Sequence, residues 1–467
     1  MEVWVINTRP GARPLDSAGL LVGATRIKPR ILYIALVVAL IVNVVANAVW
    51  VASSFDELKD LDSFLHSGAA YARDLNPYGY YGWLEPPPIS REALNLNPPV
   101  SVYLFEPISE LDRGMVGTAF LVGSLAMVAI SAGLLMRAYP EKRNWLMILI
   151  VLAMAGIWQM LFYLQIYAPL LLATTGAWLL MRRGDWLLAG VLIGVVVAIK
   201  PNYAIVPLIL LAAGHYRPSI AAVGTAVLIS LIPLAIDGPV IYREWLHMTM
   251  AFDGYEWTSN ASLVSVGERL DLAPAGQVAG AVLALAVLVL ARRLRPGALD
   301  AMGLGLMTVI LVGPVSWAGY TLLLLPFLFS MKWDRWTWLS VAILVMPFAP
   351  VPTIAAFGID FPNVFNSSSD GAGWAVPAPL VTVASAVVLP IIGGIYAWGV
   401  MLLLVRHAQR LSAEREFSLT AQLRRVSLRH RTTARPVRVV RPRPLRAPLD
   451  DELRSRQPAT VRVPYDA

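Results

Sequence analysis

The chain alternates long apolar stretches with short polar punctuation. Runs near 31–54, 115–136, 145–164, 218–236, 275–293, 336–356 and 378–405 are each close to the ~20 apolar residues that a helix needs to cross a bilayer core. Shorter runs lie near 167–181, 186–199, 202–214, 301–316 and 318–330. These fall short of a full crossing, so the pattern predicts tilted, broken or re-entrant helices there. A bilayer tolerates such breaks only where protein or a wet cavity covers the freed backbone groups. The expected architecture is an all-α polytopic membrane protein with about twelve transmembrane segments over 31–405. A leader over 1–30 precedes it and a basic tail over 406–467 follows.

Composition agrees with this pattern. Hydrophobic residues make up 57% of the 467 and charged residues 15%, with a mean hydropathy of +0.62. Soluble proteins carry about 25% charged residues, so a water-soluble domain is excluded. The net charge of +8 and pI near 9.7 would suit a nucleic-acid binder, yet the excess sits in the tail and in short loops between apolar runs. Orientation in a bilayer accounts for it, and no nucleic-acid partner is expected. Lys and Arg accumulate on the cytoplasmic side of membrane proteins. With Arg26, Lys28 and Arg30 inside, strict alternation also places inside "RAYPEKR" (137–143), "RRGD" (182–185), "HYR" (215–217), "RRLRPG" (292–297), "MKWDR" (331–335) and the tail. Both termini are then cytoplasmic, and the segments 55–114, 237–274 and 357–377 face outward. Residues 1–30 lack the basic, apolar, small-residue order of a cleaved signal and read as a cytoplasmic leader. The tail is expected to be largely disordered and attracted to anionic lipid headgroups. Arg outnumbers Lys and Ala and Val abound, a bias of GC-rich bacteria that would make the membrane a cell membrane and its outer side periplasmic or equivalent. Cysteine is absent, which removes disulfide and thiolate chemistry.

The external loop over 55–114 is too long for a mere connector. "SSFDELKDLDSFLHSGAAYARDLNPYGYY", from Ser53, concentrates acids directly after the first apolar run. Its acids admit three readings: solvated surface charge, a cation or proton site of a transporter, or the base of an enzyme at the membrane surface. The Asn-Pro and Pro-Pro steps stiffen the backbone, and Tyr78, Tyr80, Tyr81, Trp83 and Tyr103 suit the lipid–water boundary. A structured cap is predicted.

"DLDSFLHSGAAYARDLNPY" followed by "NLNPP" resembles the first external loop of glycosyltransferase family 87, membrane enzymes of the C-type fold that take sugars from polyprenyl phosphates. Aligned from the Asn-Pro-Tyr turn, Asp60 falls on the family's acidic position, with Asp62 as the alternative, Phe64 on an aromatic and Gly68 on a small residue. "LQIYAPLLL…GVVVAIKPNY" is similar to the family's middle segment: Gln165, Lys200 and Pro201 match, while Leu164 replaces a glycine. In "GPVSWAGYTLLLLPFL", Ser316, Trp317 and Tyr320 match, but Ala318 and Gly319 stand where Asp and His are common. The resemblance runs in spaced motifs from about 55 to 330 and implies a C-type bundle.

It further implies transfer of a sugar, mannose foremost, from a polyprenyl-phosphate donor to a lipid or glycan hydroxyl on the outer face. Such transfer needs a carboxylate to take the hydroxyl proton as the anomeric carbon becomes cation-like, the role given to Asp60. The departing phosphate needs cationic or hydrogen-bonding partners. Lys200 at a helix end is the foremost of these, although a lysine there can simply reach for the interface. Arg269 is a second candidate cation, its plainer reading being a surface ion pair with Glu268 or Asp271. Gln165 and Tyr320 complete the donor side. His66, six residues past Asp60 and off its helical face, joins Asn76, Tyr78 and Asn97 as loop or acceptor-side residues. "NAS" at Asn260 matches a glycosylation sequon, a pattern common by chance. No redox cofactor or metal site is expected, although Asp56, Asp60 and Asp62 together leave weak divalent-cation binding open. A secondary transporter would instead gather its charges at mid-membrane, and a non-catalytic lipid-binding protein would keep the aromatic cap without needing Asp60.

Overall fold

The computed structural model describes residues 29–53, 59–84, 95–252, 260–346 and 395–433. Contacts divide the chain into two units, 1–413 and 414–467; of the second only 414–433 is described, and it is helical. Among the described residues every element is helical, apart from one isolated β-bridge between Asn260 and Trp317. Four helices are long and apolar enough to cross a membrane, within Arg30–Ala52, Arg113–Ala138, Tyr216–Asp237 and Ala273–Leu294. The pair Trp145–Ala153 and Ala155–Tyr163, bent by 48°, makes a fifth if counted as one span. The described residues therefore support four or five of the twelve expected crossings. The remaining apolar runs form shorter helices, as their length requires, and the expected runs at 336–356 and 378–405 lie partly outside the described residues.

In chain order the helices are α1 (Pro29–Ser53), α2 (Lys59–Tyr71), α3 (Val100–Phe105), α4 (Arg113–Ala138), α5 (Trp145–Ala153) and α6 (Ala155–Tyr163). Then come α7 (Tyr167–Arg183), α8 (Trp186–Ile199), α9 (Ile205–Ala213), α10 (Tyr216–Asp237), α11 (Val240–Met250) and α12 (Leu263–Arg269). The last are α13 (Ala273–Leu294), α14 (Ala298–Val312), α15 (Leu325–Ser330), α16 (Arg335–Leu344) and α17 (Ile395–Thr433).

Small residues decide how these helices meet. α8 runs against α10; a Cβ on Gly190 would lie 2.5 Å from Pro218 O, and one on Gly194 2.5 Å from Ala222 O. Two glycines four apart thus let the backbones touch, the small-residue packing that replaces hydrophobic drive inside a bilayer. The break between α5 and α6 frees carbonyls, and α1 answers it. Asn43, buried within that apolar helix, donates Nδ2 to Ala153 O at 3.1 Å and to Val345 O at 2.6 Å. Asn47 in turn donates to Asn43 O and Oδ1.

The polar connections sort to two ends. At one end Arg182 donates to Ala138 O and lies over the Tyr139 ring, Lys142 lies 4.4 Å over Trp333, and His215 meets Pro296 O at 2.9 Å. Arg406 pairs with Asp334 at 2.5 Å and Arg410 with Asp300 at 3.0 Å, fastening the start of α17 there. These contacts join several of the short basic loops to one another. At the other end Tyr71 donates to Asp237 at 3.0 Å, Tyr103 donates to the same carboxylate, and Trp245 Nε1 donates to Leu96 O at 3.1 Å. This end carries the cap.

Candidate active site

The cap positions the acids. α2 begins with Asp60 and Asp62 in its first turn, where the aligned peptide dipoles favour negative charge. It lies close on the chain beyond it: a Cβ on Gly68 would fall 2.8 Å from Phe105 C and Glu106 N, and Phe64 stacks on Phe105 at 4.6 Å. Asn76 Oδ1 accepts from Tyr78 N, Tyr78 Oη donates to Asn97 O, and Asn95 Nδ2 donates to Ser67 and Ser101. Asn76, Tyr78 and Asn97 thus hold the shape of the cap, and none of these bonds reaches Asp60. His66 is buried against Tyr81 at 6.0 Å, and burial pulls its pKa below the usual imidazole range, with the Gly79 backbone opposing.

The two acids have different surroundings. Asp62 is buried and held bidentately by Arg113, with Nε to Oδ1 at 2.7 Å and Nη2 to Oδ2 at 2.6 Å. Asp60 is half-buried and receives Gln165 Nε2 on Oδ2 at 2.5 Å. Of the two, Asp60 is the carboxylate that meets the turn after α6, while Asp62 is held at the start of α4. Gln165 reaches it because α6 ends in a left-handed residue, Leu164 at φ 48° and ψ 52°, after which Gln165 N returns to Met160 O at 3.0 Å. A side chain in that conformation costs about 1–2 kcal/mol, which glycine would avoid.

Lys200 closes α8 at the break before Pro201, which disfavours helix at the residue preceding it. It stands between helices, its stem buried, with Nζ 5.6 Å from the Tyr167 ring and 5.8 Å from that of Tyr320. Burial lowers its pKa to about 8, with the Asp60 carboxylate opposing that shift. Tyr203 adds a third ring, 5.5 Å from Tyr320. Gln165 Oε1 and the hydroxyls of Tyr167 and Tyr203 are buried without a protein hydrogen-bond partner. Asp60, Gln165, Lys200 and Tyr320, distant in sequence, thus share one neighbourhood. Tyr167 and Tyr203 belong to it as well, and sequence reasoning passed over them, as it did over Arg113 beside Asp62. The only signal was an aromatic two residues after Gln165 and another three after Lys200.

Gly319 explains a departure from the expected motif. Its N–H donates to Gln159 Oε1, and a Cβ there would fall 2.3 Å from Tyr167 Cε2. The tyrosine ring fills the space a side chain at 319 would need.

Arg269 lies on α12. Its Nη1 donates to Ser265 Oγ at 2.6 Å and Asn260 O at 3.4 Å, and burial lowers its pKa to about 10, so it stays charged at neutral pH. Asn260 is buried, donating to Pro314 O and accepting from Ser316 N at 3.0 Å each, so the sequon is not available at the surface. A groove of about 340 Å³, lined by Val264, Gly280, Ala284, Val312 and Pro314 with Gln277 its one polar side chain, opens between α12, α13 and the end of α14. Pro314 lines this groove, and the next carbonyl, Val315 O, accepts from Asn202 at 3.0 Å, two residues past Lys200. No group of three or more His, Asp or Glu able to hold a metal occurs among the described residues; Asp56 lies outside them.

A family model described as Glycosyltransferase family 87 matches residues 95–316. That match, over just under half of the chain, supports membership of glycosyltransferase family 87. Membership of that family, together with the long apolar helices, indicates a membrane glycosyltransferase. The family 87 match takes in Asn97, Gln165, Lys200 and Arg269; it begins after Asp60 and ends before Tyr320. No curated protein and no solved structure matches the chain.

Proposed function

We propose that this glycosyltransferase moves a sugar, mannose foremost, from a polyprenyl-phosphate donor to a hydroxyl of a lipid or glycan acceptor, with Asp60 as general base. The reading includes a C-type bundle in the cell membrane, both termini cytoplasmic, the site at the periplasmic or extracellular face, and a tail drawn to anionic lipid. The observation that carries it is the half-buried Asp60 carboxylate set by Gln165, with the Lys200 ammonium in electrostatic reach. The acceptor oxygen attacks the anomeric carbon and a new C–O bond forms. The bond from that carbon to the phosphate oxygen breaks, and its electron pair leaves with polyprenyl phosphate. The hydroxyl proton passes to Asp60, whose charge also steadies the cation-like carbon. Lys200 balances the phosphate. Arg269 is a second cation for the donor, and the apolar groove beside Pro314 suits its hydrocarbon chain. The step requires no redox cofactor.

The test is transfer of radiolabelled mannose from polyprenyl phosphate by membranes carrying the full chain. Asp60→Asn should lose about 10²- to 10⁴-fold, the usual contribution of a general base, while Asp62→Asn should retain transfer. Undiminished transfer by Asp60→Asn overturns the base assignment. Solute uptake without transfer by the unaltered chain would point to a transporter instead.

A further inference from the structure

We propose that Gln165 acts on both partners of the reaction: its Nε2 positions the Asp60 carboxylate, and its Oε1 accepts a hydroxyl of the sugar being transferred. The inference rests on the sugar-transfer reading above.

Three observations lead to it. Gln165 is buried, yet its amide makes one bond of unequal character, Nε2 to Asp60 Oδ2 at 2.5 Å. An ionised carboxylate only accepts hydrogen bonds, so the N–H side of the amide must face Asp60 and the carbonyl side must face away. That carbonyl oxygen, Oε1, is buried without a partner, and so are the hydroxyls of Tyr167 and Tyr203 near Lys200. Buried polar atoms are nearly always satisfied in folded proteins. A cluster of unsatisfied ones beside a carboxylate and a cation matches a ligand with several hydroxyls, which describes a sugar better than a lipid tail. Last, the chain bends into a left-handed conformation at Leu164, directly before Gln165. That turn carries the chain on to Gln165, and strained backbone of this kind clusters at functional sites.

The bond to Oδ2 fixes the orientation of the Asp60 carboxylate, which takes the acceptor's proton in the reading above. Gln165 is therefore a positioning residue toward Asp60 and a contact residue toward the sugar, and these two roles separate in kinetics. Gln165→Met keeps the volume and loses both groups. It should lower kcat by about 10- to 100-fold, as displacement of a reacting group does, and raise the donor KM by about 5-fold through the missing hydrogen bond. Gln165→Glu keeps an accepting oxygen but sets a second carboxylate against Asp60. One of the pair then binds a proton more tightly, so the acidic limb of kcat/KM should move up by about one pH unit or more, with KM near the native value.

The experiment measures kcat, donor KM and pH profiles for the native chain, Gln165→Met, Gln165→Glu and Asp60→Asn in detergent, with thermal melting alongside. Movement of the acidic limb in Gln165→Glu together with the KM rise in Gln165→Met supports the proposal. If the native chain transfers sugar, Asp60→Asn does not, and the Gln165 variants keep the native KM and acidic limb, the Gln165 roles are overturned while the transferase reading stands. Variants that only melt earlier, with native profiles, assign Gln165 to packing and likewise overturn it. A native chain that transfers no sugar removes both readings.

Discussion

Lys200 shows how one residue's surroundings set its chemistry. Its ammonium stands over two tyrosine rings, and burial pulls its pKa to about 8 against the opposing Asp60 carboxylate. Above that pH it sheds the charge that the proposed donor phosphate would meet. The donor KM should therefore rise as pH climbs through about 8, and Lys200→Arg, a more basic group, should move that rise to higher pH. Steady-state kinetics across pH 6–10 checks both. Asp62 makes the contrasting case. Its bond pair with Arg113 is structural, so Arg113→Ala should lower stability by about 1.5–3 kcal/mol, the range for hydrogen bonds to charged groups, measured by melting in detergent. At this scale the sequence offered both acids as candidates and left their surroundings open. Asp60 and Asp62 lie two residues apart on one short helix, and only the fold places Arg113 beside one and Gln165 beside the other.

At the scale of elements, the apolar pattern located the helices well because burial in lipid demands continuous hydrophobic length. It could not say which runs cross, since α8 and α9 are shortened by the Lys200–Pro201 break rather than by any polar run. Glycine spacing carried more information than hydropathy here. Gly190 and Gly194 fix the contact of α8 with α10, and α8 ends at Lys200. Gly194→Leu would drive a side chain into Ala222 O and Thr225. It should destabilise the protein by about 1–3 kcal/mol, the usual cost of overpacking, and lower the melting temperature accordingly. Leu164 works the other way, because a residue with a Cβ occupies a left-handed site where the resembling motif has glycine. The sequence displayed that mismatch, and the structure supplies its geometry.

At the scale of the whole molecule, charge sorts the described polar contacts to two ends, one gathering the short basic loops and the other the cap with Asp60, Gln165 and Lys200. The chain has no cysteine, so a single introduced thiol reports its own side of the membrane without background. Trp83→Cys, at a position 69% exposed on the cap, should react with a membrane-impermeant maleimide in intact cells. Asp185→Cys, exposed between α7 and α8, should react only after permeabilisation. The amide of Asn43 extends across this same scale. It joins α1 to carbonyls 110 and 302 residues further along the chain. Ribosomes build proteins from the N-terminus, so the first helix enters the bilayer carrying a polar group whose second partner has not yet been synthesised. Its final seat is settled only when Val345 arrives, so assembly of the bundle closes late.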